Sequence, residues 1–178
     1  MQEEVLKFWF EEIEPPQRFM KDENFDRLIV ERFADIHQQA ARCELYKWRE
    51  SAHGRLAEII VLDQFSRNMF RDTSLAFAYD PLALALAQEA VAAGADEALN
   101  QQECNFLYMP YMHSESLPIH EVATELFRKN GAEISLEFEY KHKVIIERFG
   151  RYPHRNIALG RTSTQEELAF LQQPGSSF

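Results

Sequence analysis

The sequence predicts an all-α fold, an irregular array of about eight or nine helices. Apolar residues recur at spacings of three and four along most of the chain, and no segment alternates apolar and polar residues as a half-buried strand would. The segments are joined by turns that are too short to be linkers between domains. The chain has 178 residues, of which 46% are hydrophobic, and this length and composition are sufficient to bury one core. We therefore predict a single helical domain over residues 1–178.

Periodic apolar residues and boundary signals define individual helices in order along the chain. Three of the periodic sets are Leu6, Trp9, Phe10 and Ile13; Phe25, Leu28, Ile29, Phe33 and Ile36; and Ile119, Val122, Ala123, Leu126 and Phe127. Asp80 is predicted to cap a helix that has Pro81 in its first turn, and the pair Asn130–Gly131 is typical of a helix end. Residues 163–167, STQEE, offer two alternative capping boxes and so predict a short final helix.

Composition and charge exclude several classes of function. The chain has 19 Lys and Arg against 29 Asp and Glu, a formal net charge of −10, which argues against a general nucleic-acid binder. The start, MQEEVLKFWF, is acidic, and the longest aliphatic run, residues 59–62, is far too short to span a bilayer, so we expect a cytoplasmic protein without a membrane partner. Cys43 and Cys104 form no CxxC pattern, and nothing in the sequence indicates a metal or a cofactor.

The stretch LDQFSRNMFR, residues 62–71, places charge where apolar residues are expected. On a helical projection Asp63 and Arg67 share a face with Leu56 and Ile60. An isolated buried charge is costly, so the two side chains are predicted to pair. The pair is either a structural contact or the lining of a pocket, in which Asp63 orients Arg67 toward a ligand carboxylate or phosphate. Asn68 lies on a more polar arc and reaches such a pocket only if the pocket is wide.

The histidines offer weaker signals. His142 is predicted to point into the core as a neutral, hydrogen-bonded residue, because it shares its spacing with apolar neighbours. His113 and Glu115 follow a proline that interrupts a helix, and this His-x-Glu pair would need His142 or His154 to complete a metal site, which we do not predict. We predict that the remaining three histidines lie at the surface: His37, His53 and His120.

The stretch HKVIIERFGRYPHRN, residues 142–156, ends in a basic cluster on an acidic protein. Gly150 is predicted to end a helix, and Pro153 makes a restart unfavourable, so an ordered loop follows. Its arginines either hold a phosphate or carboxylate, together with free backbone amides, or cap neighbouring helices and pair with surplus carboxylates. The segment contributes five residues to the predicted site: Arg148, Arg151, His154, Arg155 and Asn156.

Six stretches stand out as a set: LDQFSRNMFR, FAYDPLALALA, FLYMPYMHSES, HKVIIERFGRYPHRN, LGRTSTQEE and the terminal PGSSF. Together they resemble the bacterial domain of unknown function 924 family over essentially the whole chain. The resemblance implies a tetratricopeptide-like α-helical superhelix, and it implies no substrate, cofactor or catalytic residue. The motif positions that match are Asp63, Gln64, Arg67, Asn68, His113, Ser114, Glu115, Arg148, Gly150, Arg151, Pro153, His154, Arg155 and Asn156. Ser66 stands where the family commonly has proline.

The main functional hypothesis is a cytosolic helical protein that binds a small anionic molecule or a peptide in a pocket lined by Arg, His and Asn. The predicted ligand-binding residues are Asp63, Arg67, Asn68, His113, Glu115, Arg148, Arg151, His154, Arg155 and Asn156. One alternative is a hydrolase or lyase in which His113 or His154 is the general base and Glu115 or Asp63 orients it. A second is a scaffold that binds a partner helix. The sequence leaves the oligomeric state open.

Overall fold

A computed structural model describes residues 1–177; Phe178, for which the sequence allows either docking or fraying, lies outside this range. The helices are α1 (Gln2–Lys7), α2 (Glu23–Ala41), α3 (Ala52–Ile60), α4 (Ser66–Met69), α5 (Asp80–Ala92), α6 (Gln101–Met112), α7 (Leu117–Asn130), α8 (Glu133–Phe149) and α9 (Gln165–Phe170). A π-helical turn, Val61–Phe65, joins α3 to α4 into one continuous helix. Counted in this way, the described part of the chain has eight helices and no strand, which confirms the all-α prediction.

The continuous helix formed by α3, the π-turn and α4 is the centre of the fold. Every residue from 56 to 66 is buried, because α1, α2, α5 and α6 pack around this segment. Aromatic rings surround Phe65 in particular, with ring centroids of Phe8, Trp9 and Phe33 at 6.0, 5.6 and 4.9 Å. A helix enclosed on all sides has no face for polar side chains, so each polar residue on it needs a partner inside the protein.

Four polar residues lie in the buried segment 56–66: Glu58, Asp63, Gln64 and Ser66. Arg49 donates from Nε and Nη2 to the two carboxylate oxygens of Glu58, both at 2.7 Å. Such a two-point ion pair compensates a charge that has no access to water. The partners of Asp63 and Gln64 form the candidate site.

Two glycines end helices in the C-terminal half, as the sequence predicts. Gly131 and Gly150 have left-handed backbone angles, with φ of 74° and 66°, and they close α7 and α8. A short 3₁₀ turn, Pro153–Arg155, follows the second of them, and a capping box of Thr164 with Glu167 opens α9. A small second group of buried apolar residues lies here: Ile145, Ile146 and Tyr152.

Two of the three histidines predicted at the surface are buried, and the prediction is wrong for both. His37 and His120 are 4% and 0% exposed, because each lies on the packed face of its helix, in line with Phe33 and Phe127 respectively. The side chain of His53 is 52% exposed, as predicted.

The start of α5 differs from the prediction by one residue. Asp80 is the first residue of the helix, Tyr79 precedes it as N-cap, and no side chain makes a capping hydrogen bond there. The carboxylate of Asp80 instead accepts hydrogen bonds from two arginines.

No helix within residues 1–177 has the length and the apolar composition that crossing a bilayer requires. A single domain over residues 1–178 and a superhelical arrangement of the helices stay predictions.

Candidate functional site

The buried carboxylate of Asp63 is the centre of the candidate site. It lies on the π-turn, it is 1% exposed, and three side chains from two segments converge on it. Oδ1 accepts a hydrogen bond from Nδ1 of His113 at 2.7 Å and lies 3.1 Å from Nη1 of Arg67. Oδ2 accepts from Nε2 of Gln64 at 2.6 Å. The predicted pairing of Asp63 with Arg67 is therefore present, and His113 is a third member that helical spacing did not indicate.

Mutual interactions set the charges of this group. Burial alone would raise the pKa of Asp63, but Arg67 and His113 outweigh it and hold that pKa well below its usual range. Burial also opposes the charge of Arg67, yet Asp63 and Asp80 raise the pKa of its guanidinium. Burial and the charge of Arg67 lower the pKa of His113, against the attraction of Asp63. At pH 7, Asp63 and Arg67 therefore form an ion pair, and His113 is neutral with its proton on Nδ1.

Asp80 connects this group to the basic loop. Its two carboxylate oxygens accept from Nη1 and Nη2 of Arg67 at 2.9 and 3.0 Å, and Oδ2 also accepts from Nη1 of Arg155 at 3.1 Å. Arg155 in turn donates from Nη2 to the backbone oxygen of His113 at 2.9 Å. Two carboxylates, Asp63 and Asp80, thus balance two guanidiniums. The sequence predicts Asp80 only as a helix cap and does not indicate its contacts with the arginines.

The guanidinium of Arg155 is enclosed by aromatic rings. Its carbon lies 4.6 Å from the ring centroid of Phe77 and 4.6 Å from that of Tyr152. The side chain is 7% exposed, and its Nε is buried without a hydrogen-bond partner in the described chain. Burial, followed by repulsion from Arg67, lowers the pKa of Arg155. The cluster therefore contains one fully buried N–H donor whose hydrogen bond is not made by residues 1–177.

Three histidine rings lie beside Tyr152, and a fourth lies beside one of these three. The centroid distances to Tyr152 are 5.8 Å for His142, 5.6 Å for His154 and 6.4 Å for His120, and His113 lies 6.4 Å from His142. Burial lowers the pKa of His142 to about 3 and that of His154 to about 4. His142, predicted to be a hydrogen-bonded core residue, is buried, and its Nδ1 donates to the backbone oxygen of Phe138 at 2.7 Å. Within residues 1–177, no group of His, Cys, Asp or Glu side chains has an arrangement that would hold a metal ion.

His120 belongs to a buried pair with Glu139. Its Nδ1 lies 2.8 Å from Oε1 of Glu139, its Nε2 donates to the backbone oxygen of Ser114 at 2.8 Å, and both side chains are 0% exposed. Burial raises the pKa of Glu139. The contact joins α7 to α8 next to Tyr152.

Four of the ten predicted site residues bond directly within the cluster around Asp63: Asp63, Arg67, His113 and Arg155. A fifth, His154, lies against the ring of Tyr152, which packs on Arg155. Two others lie in a neighbouring network. Glu115 accepts from both terminal nitrogens of Arg161, at 2.7 and 2.9 Å, and from the backbone N–H of Tyr152 at 2.7 Å. Asn156 accepts from Nε of Arg161 at 2.9 Å and is fully buried. This second network holds the loop in place beside Tyr152.

The remaining three predicted residues are bonded elsewhere. Nδ2 of Asn68 donates at 2.8 Å to Asp26, which also pairs with Arg71. Arg148 pairs with Glu166 at 2.8 Å. Arg151 pairs with Glu167 at 2.6 and 2.8 Å. Arg148 and Arg151 thus pair with carboxylates, as in the alternative interpretation of the basic loop.

The cluster is partly open to solvent. The side chains of His113, Asp80 and Arg67 are 14%, 15% and 21% exposed. Two open clefts on the described surface are lined by other residues, and none of the ten predicted site residues lines either of them. The cluster thus presents a partly exposed polar edge.

Fold and site together define a class: an all-helical protein with a buried arginine, aspartate and histidine cluster reached from one partly exposed edge. The chain belongs to the family described as bacterial protein of unknown function (DUF924), whose profile matches residues 5–175. No curated protein matches the chain. A similar solved structure is that of the protein of unknown function ATU0120 from Agrobacterium tumefaciens, 40% identical over 96% of each chain, with a TM-score of 0.91. The resemblance that the six sequence stretches indicate is confirmed.

Proposed function

We propose that this protein binds a small anion, a carboxylate or a phosphate that is free or carried by a peptide, at the exposed edge formed by Arg67, Asp80 and His113. The observation that carries the proposal is the hydrogen bond from His113 Nδ1 to Asp63 at 2.7 Å. Because it directs the ring proton to Asp63, the other ring nitrogen of His113 is left as an acceptor beside a guanidinium. An acceptor beside a cation suits an anion that also carries a donor, such as a protonated phosphate or the N–H of a peptide.

The arginines of the cluster support an anionic ligand. The two carboxylates engage Nη1 and Nη2 of Arg67, while its Nε makes no hydrogen bond within residues 1–177. Arginine presents its donors as a rigid planar fork, which matches the oxygens of carboxylates and phosphates. The π-turn that carries Asp63 supports a functional role as well, since such turns are frequent at functional sites.

Ligand-induced stabilisation tests the proposal. The probes are inorganic phosphate, succinate and triglutamate, each titrated to 5 mM against the wild-type protein and against Arg67→Lys. The replacement keeps the charge and removes the planar fork, so we expect the probe that raises the wild-type unfolding temperature to lose at least half of this effect. Ligand at 100 times its dissociation constant stabilises a protein by about 2.7 kcal/mol.

Arg71→Lys is the matched control, because Arg71 lies four residues further along and pairs with Asp26 outside the cluster. It should respond to the probe as the wild type does. The proposal fails if none of the three probes stabilises the wild type, or if Arg67→Lys and Arg71→Lys respond alike.

A second candidate function is general-base catalysis on the bound ligand, as in a hydrolase or a lyase. A carboxylate that holds an imidazole in one tautomer is the orienting part of such a mechanism, and Asp63 and His113 have this relation. The pKa of both histidines is lowered, that of His154 to about 4, so the choice of His113 rests on its hydrogen bond to Asp63. Turnover of any substrate that disappears in His113→Asn and survives in His154→Gln would establish catalysis; loss in His154→Gln alone would contradict this assignment of the base.

The proposal includes a cytosolic place of action, which the acidic composition suggests. A scaffold that binds a partner helix stays a sequence-based alternative.

A further inference from the structure

A cleft between α2 and the segment that follows α4 is not used by the proposed function. It has a volume of about 460 Å³, within the range of small-molecule sites, and it is open to solvent. Its walls are formed by the second half of α2 and by the segment from α4 to the start of α5. The apolar lining includes Val30, Ala34, Met69, Phe70 and Tyr79.

His37 supplies the buried polar group of this cleft. It is 4% exposed, and its ring makes edge contacts with Phe70 and Tyr79, each at a centroid distance of 5.2 Å. Ser66 Oγ donates to the backbone oxygen of Leu62 at 2.6 Å and therefore accepts from Nε2 of His37 at 2.8 Å. The proton of the neutral ring is thus on Nε2.

The other ring nitrogen of His37 is an unused acceptor. Nδ1 makes no hydrogen bond within residues 1–177, although the side chain is nine-tenths buried and lines the cleft. Burial lowers the pKa of His37, which favours the neutral ring. An unpaired acceptor in a largely apolar wall is completed by a ligand that carries an O–H or N–H donor.

Arg42 gives the cleft a positive rim. It follows the last residue of α2, it is exposed, and its side chain forms no ion pair or hydrogen bond with another described residue. Other cations of the described chain also lack a carboxylate partner, and Arg42 is the one cation that lines this cleft. Its position complements a negative group at the open end of the cleft.

We propose that this cleft is a second binding site, for a small aromatic carboxylic acid that carries a hydroxyl group. The hydroxyl donates to Nδ1 of His37, the ring packs against Met69 and Phe70, and the carboxylate pairs with Arg42. The apolar ring of the ligand, its one hydroxyl donor and its one negative charge each match a different part of the cleft wall.

The test uses 4-hydroxyphenylacetate as probe and backbone amide NMR shifts as readout, with titration to 20 mM. Saturable shifts are expected in residues 30–42 and 66–79. Phenylacetate, which lacks the hydroxyl, and 4-hydroxybenzyl alcohol, which lacks the carboxylate, should each bind about tenfold more weakly, the loss expected for one polar contact of about 1.4 kcal/mol.

Three variants locate the interaction. Arg42→Gln should weaken binding about tenfold, and Ala34→Trp, at an exposed wall position, should abolish it by filling the cleft. Arg27→Gln is the matched control, because Arg27 is an exposed arginine of the same helix that does not line the cleft. Binding in this control should equal that of the wild type.

Several results would overturn the proposal. These are the absence of saturable shifts in the wild type, equal weakening by Arg42→Gln and Arg27→Gln, and binding that survives Ala34→Trp. Shifts confined to the segments around Asp63 and His113 would also overturn it, since they would place the probe at the site of the proposed function.

Discussion

Asp80→Asn is expected to lower the free energy of unfolding by about 3–5 kcal/mol, the usual cost of removing one partner from a buried ion pair. The substitution keeps the shape of the side chain and removes the negative charge that lies between Arg67 and Arg155. These two guanidiniums repel each other, and Arg155 is 7% exposed, so water cannot replace the missing charge there.

Urea unfolding of the wild type and of two variants measures this effect. Asp72→Asn is the matched control, because it is the same substitution in an exposed ion pair. Asp72 pairs with Lys21, and the two side chains are 75% and 64% exposed. Exposed pairs contribute little, and the midpoint of the control is expected to stay where it is. Equal midpoints for Asp80→Asn and Asp72→Asn would show that the buried cluster does not stabilise the fold.

Acidification from pH 6.5 to pH 5 is expected to destabilise the protein by about 1.4 kcal/mol per pH unit for each histidine that stays neutral in the folded state. The pKa of His142 is lowered to about 3 and that of His154 to about 4, from 6.5. Between these values and 6.5 the unfolded chain binds protons that the folded chain does not bind. The contribution of these histidines is therefore complete above about pH 6.5 and is lost as the pH falls.

Carboxylates act in other intervals or with the opposite sign. Asp63, whose pKa is lowered in the fold, loses its contribution only as the pH falls below about 4. Glu139, whose pKa is raised by burial, opposes the histidines above about pH 4.5. A comparison of variants removes these common effects.

The measurement is the slope of unfolding free energy against pH between 5 and 6.5, from urea unfolding. His142→Gln should reduce the slope by about 1.4 kcal/mol per pH unit. Ile146→Val is the control, because it removes one buried methyl group from the same helix and changes no titrating group. Its midpoints should fall at every pH while its slope equals that of the wild type. A slope in His142→Gln that matches the wild type would contradict the buried, neutral state of His142.

Local sequence signals predicted those parts of the site that depend on one helix. The pairing of Asp63 with Arg67 follows from a spacing of one helical turn, and the burial of His142 follows from its apolar neighbours. The stop at Gly150 follows from the left-handed angle that glycine adopts readily. Each of these depends on residues a few positions apart, which is the range in which periodicity carries information.

The rest of the site depends on contacts between segments. Arg155 meets Asp80 over a separation of 75 residues, and His113 meets Asp63 over 50. Local signals predict a helix cap at Asp80, and this prediction is wrong. The carboxylate of Asp80 binds arginines that lie in other segments of the chain. For the same reason His120 was predicted at the surface, although Glu139, 19 residues away on the next helix, gives it a buried partner.

The shared carboxylate of Asp80 has a consequence for how this protein can change. Arg67 and Arg155 belong to two stretches that look like separate motifs in the printed sequence, and a third stretch holds the residue that both of them bind. A charge lost from any one of the three leaves an unbalanced charge in the other two. We therefore expect the three stretches to vary together, so that a homologue that alters one of them has altered the others with it.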